Sequence, residues 1–403
     1  MILKDELIKI VRSQRDNLGI RDMGTIRQDL IKINPIRNFA IVISGIRRCG
    51  KSTLLLQSMN KEENFHYLNF EDPRLTDFSV KEFETLEEVF VHVNGMNELY
   101  YFDEIQNLTG WETYVRYLLE INKRVIITGS NASLLSKELG TKLTGRNIRL
   151  ELFPFSYPEY LKYRGMDDSE ESFRAYLITG GFPEYIRTGL DEVLQNLLVD
   201  IISRDIVIRY NIKNPGLITE IAVYLLGNIS CEFSYSKLQK IFPAIGSVTT
   251  IASYVHYLED TYLLFTLPRF NYSQKSRQIN PKKIYGIDNG FINVNTTGFS
   301  DDHGRRLENY VFLELRKKYR EIFYFRERRE CDFIIKEKTK ITKAIQVCFE
   351  VNNQNKDREI HGLLEAMNMF DLDEGYILTE RQEDTITAEG KKIMLIPARK
   401  FNS

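Results

Sequence analysis

Residues 39–59 read FAIVISGIRRCGKSTLLLQSM, and the order of their chemistry decides the fold. Phe39 to Ser44 is an unbroken apolar run of strand length, the kind buried on both faces of a parallel sheet. Ser52 to Met59 follows as a helical segment that buries Leu54, Leu55 and Leu56. Between them, Gly45-Ile46-Arg47-Arg48-Cys49-Gly50-Lys51-Ser52 satisfies G-x-x-x-x-G-K-[ST] at every fixed position. Gly45 and Gly50 let the backbone turn so that successive N–H groups face phosphate oxygens, and the helix that follows adds its positive end. Lys51 neutralises the β- and γ-phosphates, and the Ser52 hydroxyl is a ligand for Mg²⁺. Arg47, Arg48, Cys49 and Thr53 complete the cradle, so ATP and Mg²⁺ are the expected ligands.

Working outward, further strands are expected at Phe65–Asn69, Leu99–Phe102, Val125–Thr128 and Ile148–Leu152, separated by helical patterns at Lys81–Val93 and Trp111–Ile121. Apolar strands alternating with helices predict an α/β fold, a parallel sheet of about five strands covered by helices. An amphipathic helix over Leu3–Asn17 leads in.

The third strand delivers Asp103 and Glu104 at the carboxyl edge of the sheet, where ligands of such folds bind. This matches a Walker B element: Asp103 holds Mg²⁺, usually through its water, and Glu104 polarises the water that attacks the γ-phosphate. After the fourth strand, Ser130 or Asn131 either senses the γ-phosphate or caps a helix over Leu134–Glu138. Arg146, on a Gly-hinged loop before the fifth strand, is either an arginine finger, for its own or a neighbouring subunit, or a surface ion-pair partner.

The chain has 55 Lys plus Arg against 56 Asp plus Glu, so nucleic acid or anionic membrane is not attracted by global charge and any such binding needs a local patch. The 43% hydrophobic and 28% charged content excludes wholesale disorder. Cys49, Cys231, Cys331 and Cys348 form no C-x-x-C pair, which argues against a disulfide scaffold or zinc finger and for a reducing, cytoplasmic location. Lys4, Asp5 and Glu6 interrupt what a signal peptide would keep apolar, and no stretch is long and apolar enough for a membrane span.

Beyond Phe153 helices dominate, and Phe233–Phe270 reads helix, turn, helix, strand, the order of a winged helix. After Asp301 strands return around two helices. The expected division is 1–38 lead-in, 39–155 P-loop core, 156–230 helical lid or linker, 231–300 winged helix and 301–403 small α/β domain.

The motifs GIRRCGKSTLL, YYFDEIQN, TGSNASLLS, LTGR followed by LFPFSYPEY, and YLITGGFPEYI resemble, in this order, the prokaryotic AAA-type P-loop ATPases that carry a C-terminal PD-(D/E)XK nuclease-like domain. The resemblance implies an additional-strand P-loop core, a winged-helix middle and a restriction-endonuclease-like end. It also implies a second site from Glu308, Asp332 and Gln346, with Gln346-Val347-Cys348 standing where the family pattern has (D/E)-x-K. Gln346 is a weaker magnesium ligand than a carboxylate and Cys348 supplies no cation, so this site is expected to be degenerate unless Lys336 or Lys343 takes over the lysine's place.

Between Thr261 and Ile287 there is no acidic residue, and Arg269, Lys275, Arg277, Lys282 and Lys283 alternate with aromatics. The segment 269–283 is therefore a candidate DNA-backbone contact. The expected function is an ATPase whose nucleotide state drives a conformational switch acting on or near nucleic acid. The alternatives are a switch for a protein partner or a homo-oligomer, and an ATP-regulated DNA nuclease.

Overall fold

A computed structural model describes residues 2–130, 145–297 and 302–401, and it divides into two compact units, 1–163 with 260–262, and 164–259 with 263–403. In the first unit, strands β1 (Ala40–Ser44), β2 (His66–Asn69), β3 (Leu99–Asp103), β4 (Arg124–Gly129) and β5 (Asn147–Glu151) form one sheet in the order β2-β3-β4-β1-β5, every pairing parallel. The P-loop NTPase fold class expected from the apolar runs is the one observed. Strands β1 and β3 are buried at every position because helices cover both faces. The lead-in helix α1 (Lys4–Leu18) places Leu7, Ile10 and Val11 in one core with Leu86, Val89 and Phe90 of α3 (Phe83–Asn94) and with Trp111, Val115 and Leu118 of α4 (Trp111–Glu120). The helix α2 (Lys51–Met59) begins directly after the glycine turn and buries Leu54, Leu55 and Leu56.

The second unit opens with helices Glu170–Thr179, Pro183–Thr188 and Asp191–Asp200; the last runs into a π-helical stretch, Ile201–Ile208, before the helix Pro215–Leu226. A three-stranded sheet of β6 (Glu232–Phe233), β7 (Leu264–Pro268) and β8 (Lys282–Gly286) follows, in the order β6-β8-β7. The C-terminal sheet is mixed and six-stranded: β9 (Glu321–Arg326), β10 (Glu330–Glu337), β11 (Lys340–Val347), β12 (Glu374–Thr379), β13 (Asp384–Ala388) and β14 (Lys391–Pro397), in the order β13-β14-β12-β11-β10-β9. The pattern reading did not anticipate β13, because DTITA is an edge strand with no fully buried position and hence no apolar face to announce it.

The Gly180-Gly181-Phe182-Pro183 motif acquires a physical reason in this unit. Gly180 has φ +71°, and a Cβ there would fall 2.1 Å from Asp288 Oδ1. The Asp288 carboxylate accepts the N–H of Gly181 at 2.6 Å and of Phe291 at 2.9 Å, joining the glycine turn to the start of the helix Asn289–Asn295. Burial pushes the Asp288 carboxyl up to about 6, against the pull of those amides. A carboxyl raised on folding contributes stability at low pH and loses it as pH rises through its folded value. From pH 5 to 8 the wild type is therefore expected to lose about 1.4 kcal/mol relative to Asp288→Asn. Urea midpoints of the two proteins that keep a constant difference across this range would contradict the assignment.

Candidate nucleotide site and a second carboxylate cluster

The P-loop lies at the carboxyl edge of β1, where a position without a side chain is obligatory: a Cβ at Gly45 would meet the Leu152 carbonyl oxygen at 2.2 Å. Arg48 and Gly50 take positive φ, +63° and +102°, which coils the main chain tightly before α2. Lys51 is 4% exposed, and its ammonium donates to the carbonyls of Gly45 at 3.2 Å and Ile46 at 3.1 Å and stands 3.6 Å from Glu104 Oε1. Arg47 pairs with Glu71, and Cys49 is sealed, its Sγ 3.4 Å from the Leu152 oxygen.

Thr128, which the sequence reading did not single out, organises the Walker B carboxylates. Its hydroxyl donates to Asp103 Oδ1 at 2.5 Å and accepts the Glu104 N–H at 2.9 Å. The available signal was positional: pairing Phe102 with Ile127 in β3 and β4 sets Asp103 beside Thr128. Glu104 takes φ +50°, turning its carboxylate out of the strand direction, and Gln106 Nε2 donates to its Oε2 at 2.5 Å and to Ser130 Oγ at 3.3 Å. Burial would raise the Glu104 carboxyl, but Lys51, the Gln106 hydrogen bond and Arg47 outweigh it and hold it below the ordinary range, so it is an anion that can accept a proton. Asp103 is shifted the other way, upward, by burial and the charge of Glu104, against hydrogen bonds from Thr128 and Ser52. A buried carboxyl lacking enough positive charge, hydrogen-bonded to a serine hydroxyl, is an oxygen donor set suited to Mg²⁺, and on this chemistry the residues present fit the ion.

Of the further candidates, Ser130 is brought to this edge, buried and within reach of Gln106, while Asn131 lies outside the described residues. Arg146 is not brought there. Its carbonyl accepts the Ala40 N–H, and the pairing of Ala40 with Asn147 puts it at the amino edge of the sheet, exposed, with the length of β5, about 13 Å, between it and the P-loop edge. A finger reaching the phosphates of its own chain is thereby corrected; a strand's length is more than an arginine side chain spans.

In the second unit Glu308, Asp332 and Gln346 do converge, on the helix His303–Lys318, β10 and β11. The lysine they meet is neither Lys336, which donates to Glu321, nor Lys343, which lies over the Tyr319 and Phe401 rings. It is Lys283 from β8, 2% exposed, 2.8 Å from Asp332 Oδ1, 3.0 Å from Glu308 Oε1 and 2.8 Å from Glu330 Oε1. Tyr285, two residues along the same strand face, donates to Glu308 Oε1 at 2.7 Å. Burial and the Asp332 charge raise the Glu308 carboxyl to about 7. Burial would lower the Lys283 ammonium, but the carboxylates around it raise it well above its ordinary value. Gln346 accepts the Asp332 N–H and donates to Glu359 at 2.7 Å. An open cleft of about 780 Å³, with Arg305, Arg329 and Arg358 among its lining, leads to the cluster. Among the described residues no group of three or more His, Cys, Asp or Glu is arranged to hold a metal ion; at this cluster the Lys283 ammonium sits between the carboxylates instead.

The segment 269–283 is less free than its sequence suggests. Lys283 is spent on this cluster, Arg277 stacks on Phe323, Lys282 donates to Tyr235 and Arg269 donates to the Arg326 carbonyl.

A parallel sheet with a glycine turn, a buried lysine and a paired Asp-Glu at its carboxyl edge is the site of a P-loop NTPase fold, and residues 37–161 match the family model of an AAA domain. Residues 170–302 match a domain of unknown function, DUF8612. The chain is 34% identical over 420 residues to the uncharacterized protein MJ1544 of Methanocaldococcus jannaschii, covering 96% of this chain and 93% of that one, and it belongs to that protein's family. An uncharacterized protein of Haemophilus influenzae is 30% identical over 348 residues, 80% of this chain and 86% of the other. Among solved structures, the Walker-type ATPase Paby2304 of Pyrococcus abyssi has 16% identity and a TM-score of 0.42, covering 73% of this chain and 96% of that one. AMPPCP-bound DnaA from Aquifex aeolicus has 15% identity and a TM-score of 0.28, covering 58% and 85%. Among the described residues no helix is long and apolar enough to cross a membrane.

Replacing Lys283 by Met leaves buried carboxylates without their counter-ion, a change that costs about 3–5 kcal/mol. Chemical denaturation of Lys283→Met should show a loss of this size, partly recovered by adding Glu308→Gln; a variant as stable as wild type would contradict the arrangement.

Proposed function

We propose that the chain is a Mg²⁺-dependent ATP hydrolase whose nucleotide state drives a conformational switch acting on nucleic acid. The observation that carries the hydrolase reading is the meeting of Lys51 and Glu104 across the P-loop, 3.6 Å apart, with Asp103 held beside them by Thr128. The main-chain amides of the loop and the Lys51 ammonium bind the phosphate tail. When a triphosphate enters, Lys51 exchanges the Gly45 and Ile46 carbonyls for phosphate oxygens, which loosens its hold on Glu104 and frees that carboxylate to orient a water and take its proton. Ser52 and Asp103 would hold Mg²⁺, which supplies charge neutralisation of the β- and γ-phosphates. Gln106 links Glu104 to Ser130, so a change at the γ-phosphate is felt at the end of β4. Arg146, exposed at the opposite edge, is suited to act on a neighbouring subunit.

The nucleic-acid part rests on the second unit. Its order of helix, strand, helix, helix and strand, with the short helix Gln274–Ile279 before the last strand of the sheet β6-β8-β7, supports the winged-helix reading, and the mixed C-terminal sheet follows. ATPase assays test the whole. Lys51→Ala should abolish ATP binding, and Glu104→Gln should bind ATP yet turn over at least 100-fold more slowly. DNA-stimulated turnover that falls steeply with salt supports the nucleic-acid target, whereas indifference to DNA favours a protein partner.

Lys283 favours a second reading, an ATP-regulated nuclease, because it returns to the Glu308–Asp332 pair the cation that Cys348 does not provide. The carboxylates are not arranged as a metal-binding group, and no cleavage step is derived from them. Nicking of plasmid DNA with Mn²⁺ that disappears in Asp332→Ala would support this reading; its absence in wild type would remove it.

A further inference from the structure

Arg27 precedes the short 3₁₀ turn Gln28–Lys32, far in sequence from the phosphate loop, and nothing in the P-loop pattern calls for it. Its side chain is nevertheless almost wholly buried, 3% exposed, and all three faces of the guanidinium fork are used. Nε donates to Glu159 Oε1 at 2.9 Å, Nη1 to the Cys49 carbonyl at 2.7 Å and Nη2 to the Phe153 carbonyl at 2.7 Å, while the group lies over the Phe155 ring. Glu159 is 4% exposed and is itself saturated: Oε1 also accepts the Gln28 N–H at 2.8 Å and Oε2 the Ser156 N–H at 2.9 Å. The segment carrying Arg27 is strapped to α2 by Gln57, which accepts the Arg27 N–H and donates to the carbonyls of Met23 and Thr25.

The bond to Cys49 matters because of peptide geometry. In a planar trans peptide the carbonyl oxygen of Cys49 and the N–H of Gly50 point in opposite directions. Holding that oxygen on Arg27 turns the Gly50 N–H toward the other side of the loop, where a phosphate-binding turn needs its donors. The constraint is reciprocal, since a Cβ at position 50 would come 3.0 Å from Arg27 Nη1. A lysine or an apolar residue could fill the same space, but neither presents three donors in a fixed plane.

We propose that Arg27, held by Glu159, is a positioning residue for the phosphate cradle: it sets the orientation of the Cys49–Gly50 peptide before nucleotide arrives. This gives the LFPFSYPEY motif a function, because its Phe153 carbonyl and Glu159 carboxylate are what aim the guanidinium. It also ties the cradle to the helix Tyr157–Arg164, with which the chain leaves the first unit. The inference rests on the reading of the P-loop as a nucleotide site.

The test is the contribution of the β-phosphate to binding, taken as the ratio of AMP to ADP dissociation constants from calorimetry on the full chain, alongside melting temperature. In Arg27→Lys the charge stays but the fork is lost, and the ratio should fall about tenfold, a loss of about 1.4 kcal/mol specific to the β-phosphate. A role confined to fold stability would lower the melting temperature and leave the ratio of the folded protein unchanged, and that result overturns the proposal. Should Arg27→Lys not fold, Glu159→Gln gives the same readout: a ratio lowered at least threefold is expected, and an unchanged one overturns the proposal. Wild type that binds no ADP at all defeats the nucleotide reading, and this inference with it, a result distinct from an unchanged ratio.

Discussion

An ammonium group taken out of water must find carboxylates or carbonyls around it, and each unit of this chain is organised about one such group. In the first, Lys51 is satisfied by two loop carbonyls and the nearby Glu104, partners that a phosphate tail can replace. In the second, Lys283 is ringed by Asp332, Glu308 and Glu330, all fixed by strands or helix and none of them easily exchanged. The same chemistry thus yields a poised lysine in one place and a locked one in the other. The difference lies in whether the partners are main-chain dipoles with one carboxylate or a surplus of negative charge.

That contrast bears on how the two sites age under substitution. The nucleotide edge tolerates little because geometry is imposed from several directions at once: the Leu152 oxygen against Gly45, Thr128 between Asp103 and Glu104, and Arg27 behind Cys49. Each constraint comes from a different strand or loop, so the site is a property of the sheet edge rather than of the P-loop alone. The second cluster depends on one residue contributed by another sheet, and its chemistry turns on that residue.

How much could be seen in the sequence follows from the range of the interactions. The parallel sheet, the phosphate loop and the Asp103-Glu104 pair are local patterns, a strand followed at once by its functional residues, and they are found where they were expected. Lys283 was counted among the cations of a candidate DNA-backbone contact, since strand pattern does not say which face of β8 meets β10; only its alternation with the buried Tyr285 hinted at an inward direction. Arg146 was placed on the loop before the fifth strand, where it is found; what composition does not show is that this loop, at the amino edge of a parallel sheet, is a strand's length from the phosphate loop of its own chain. Arg27 and Asp288 make contacts between segments distant in sequence, for which one sequence carries no marker, whereas Thr128 was legible only through the register of β3 and β4.

Cys49 occupies a spot where oxidation would cripple the phosphate loop. Burial raises its thiol further than the nearby Lys51 and Arg27 lower it, so the reactive thiolate is scarce, and the sulfur is shut off from solvent behind the Leu152 carbonyl. Peroxide or an alkylating reagent then reaches this sulfur only through an opening of the loop itself. A sulfur so placed would record any opening of the loop and stay silent while it is closed.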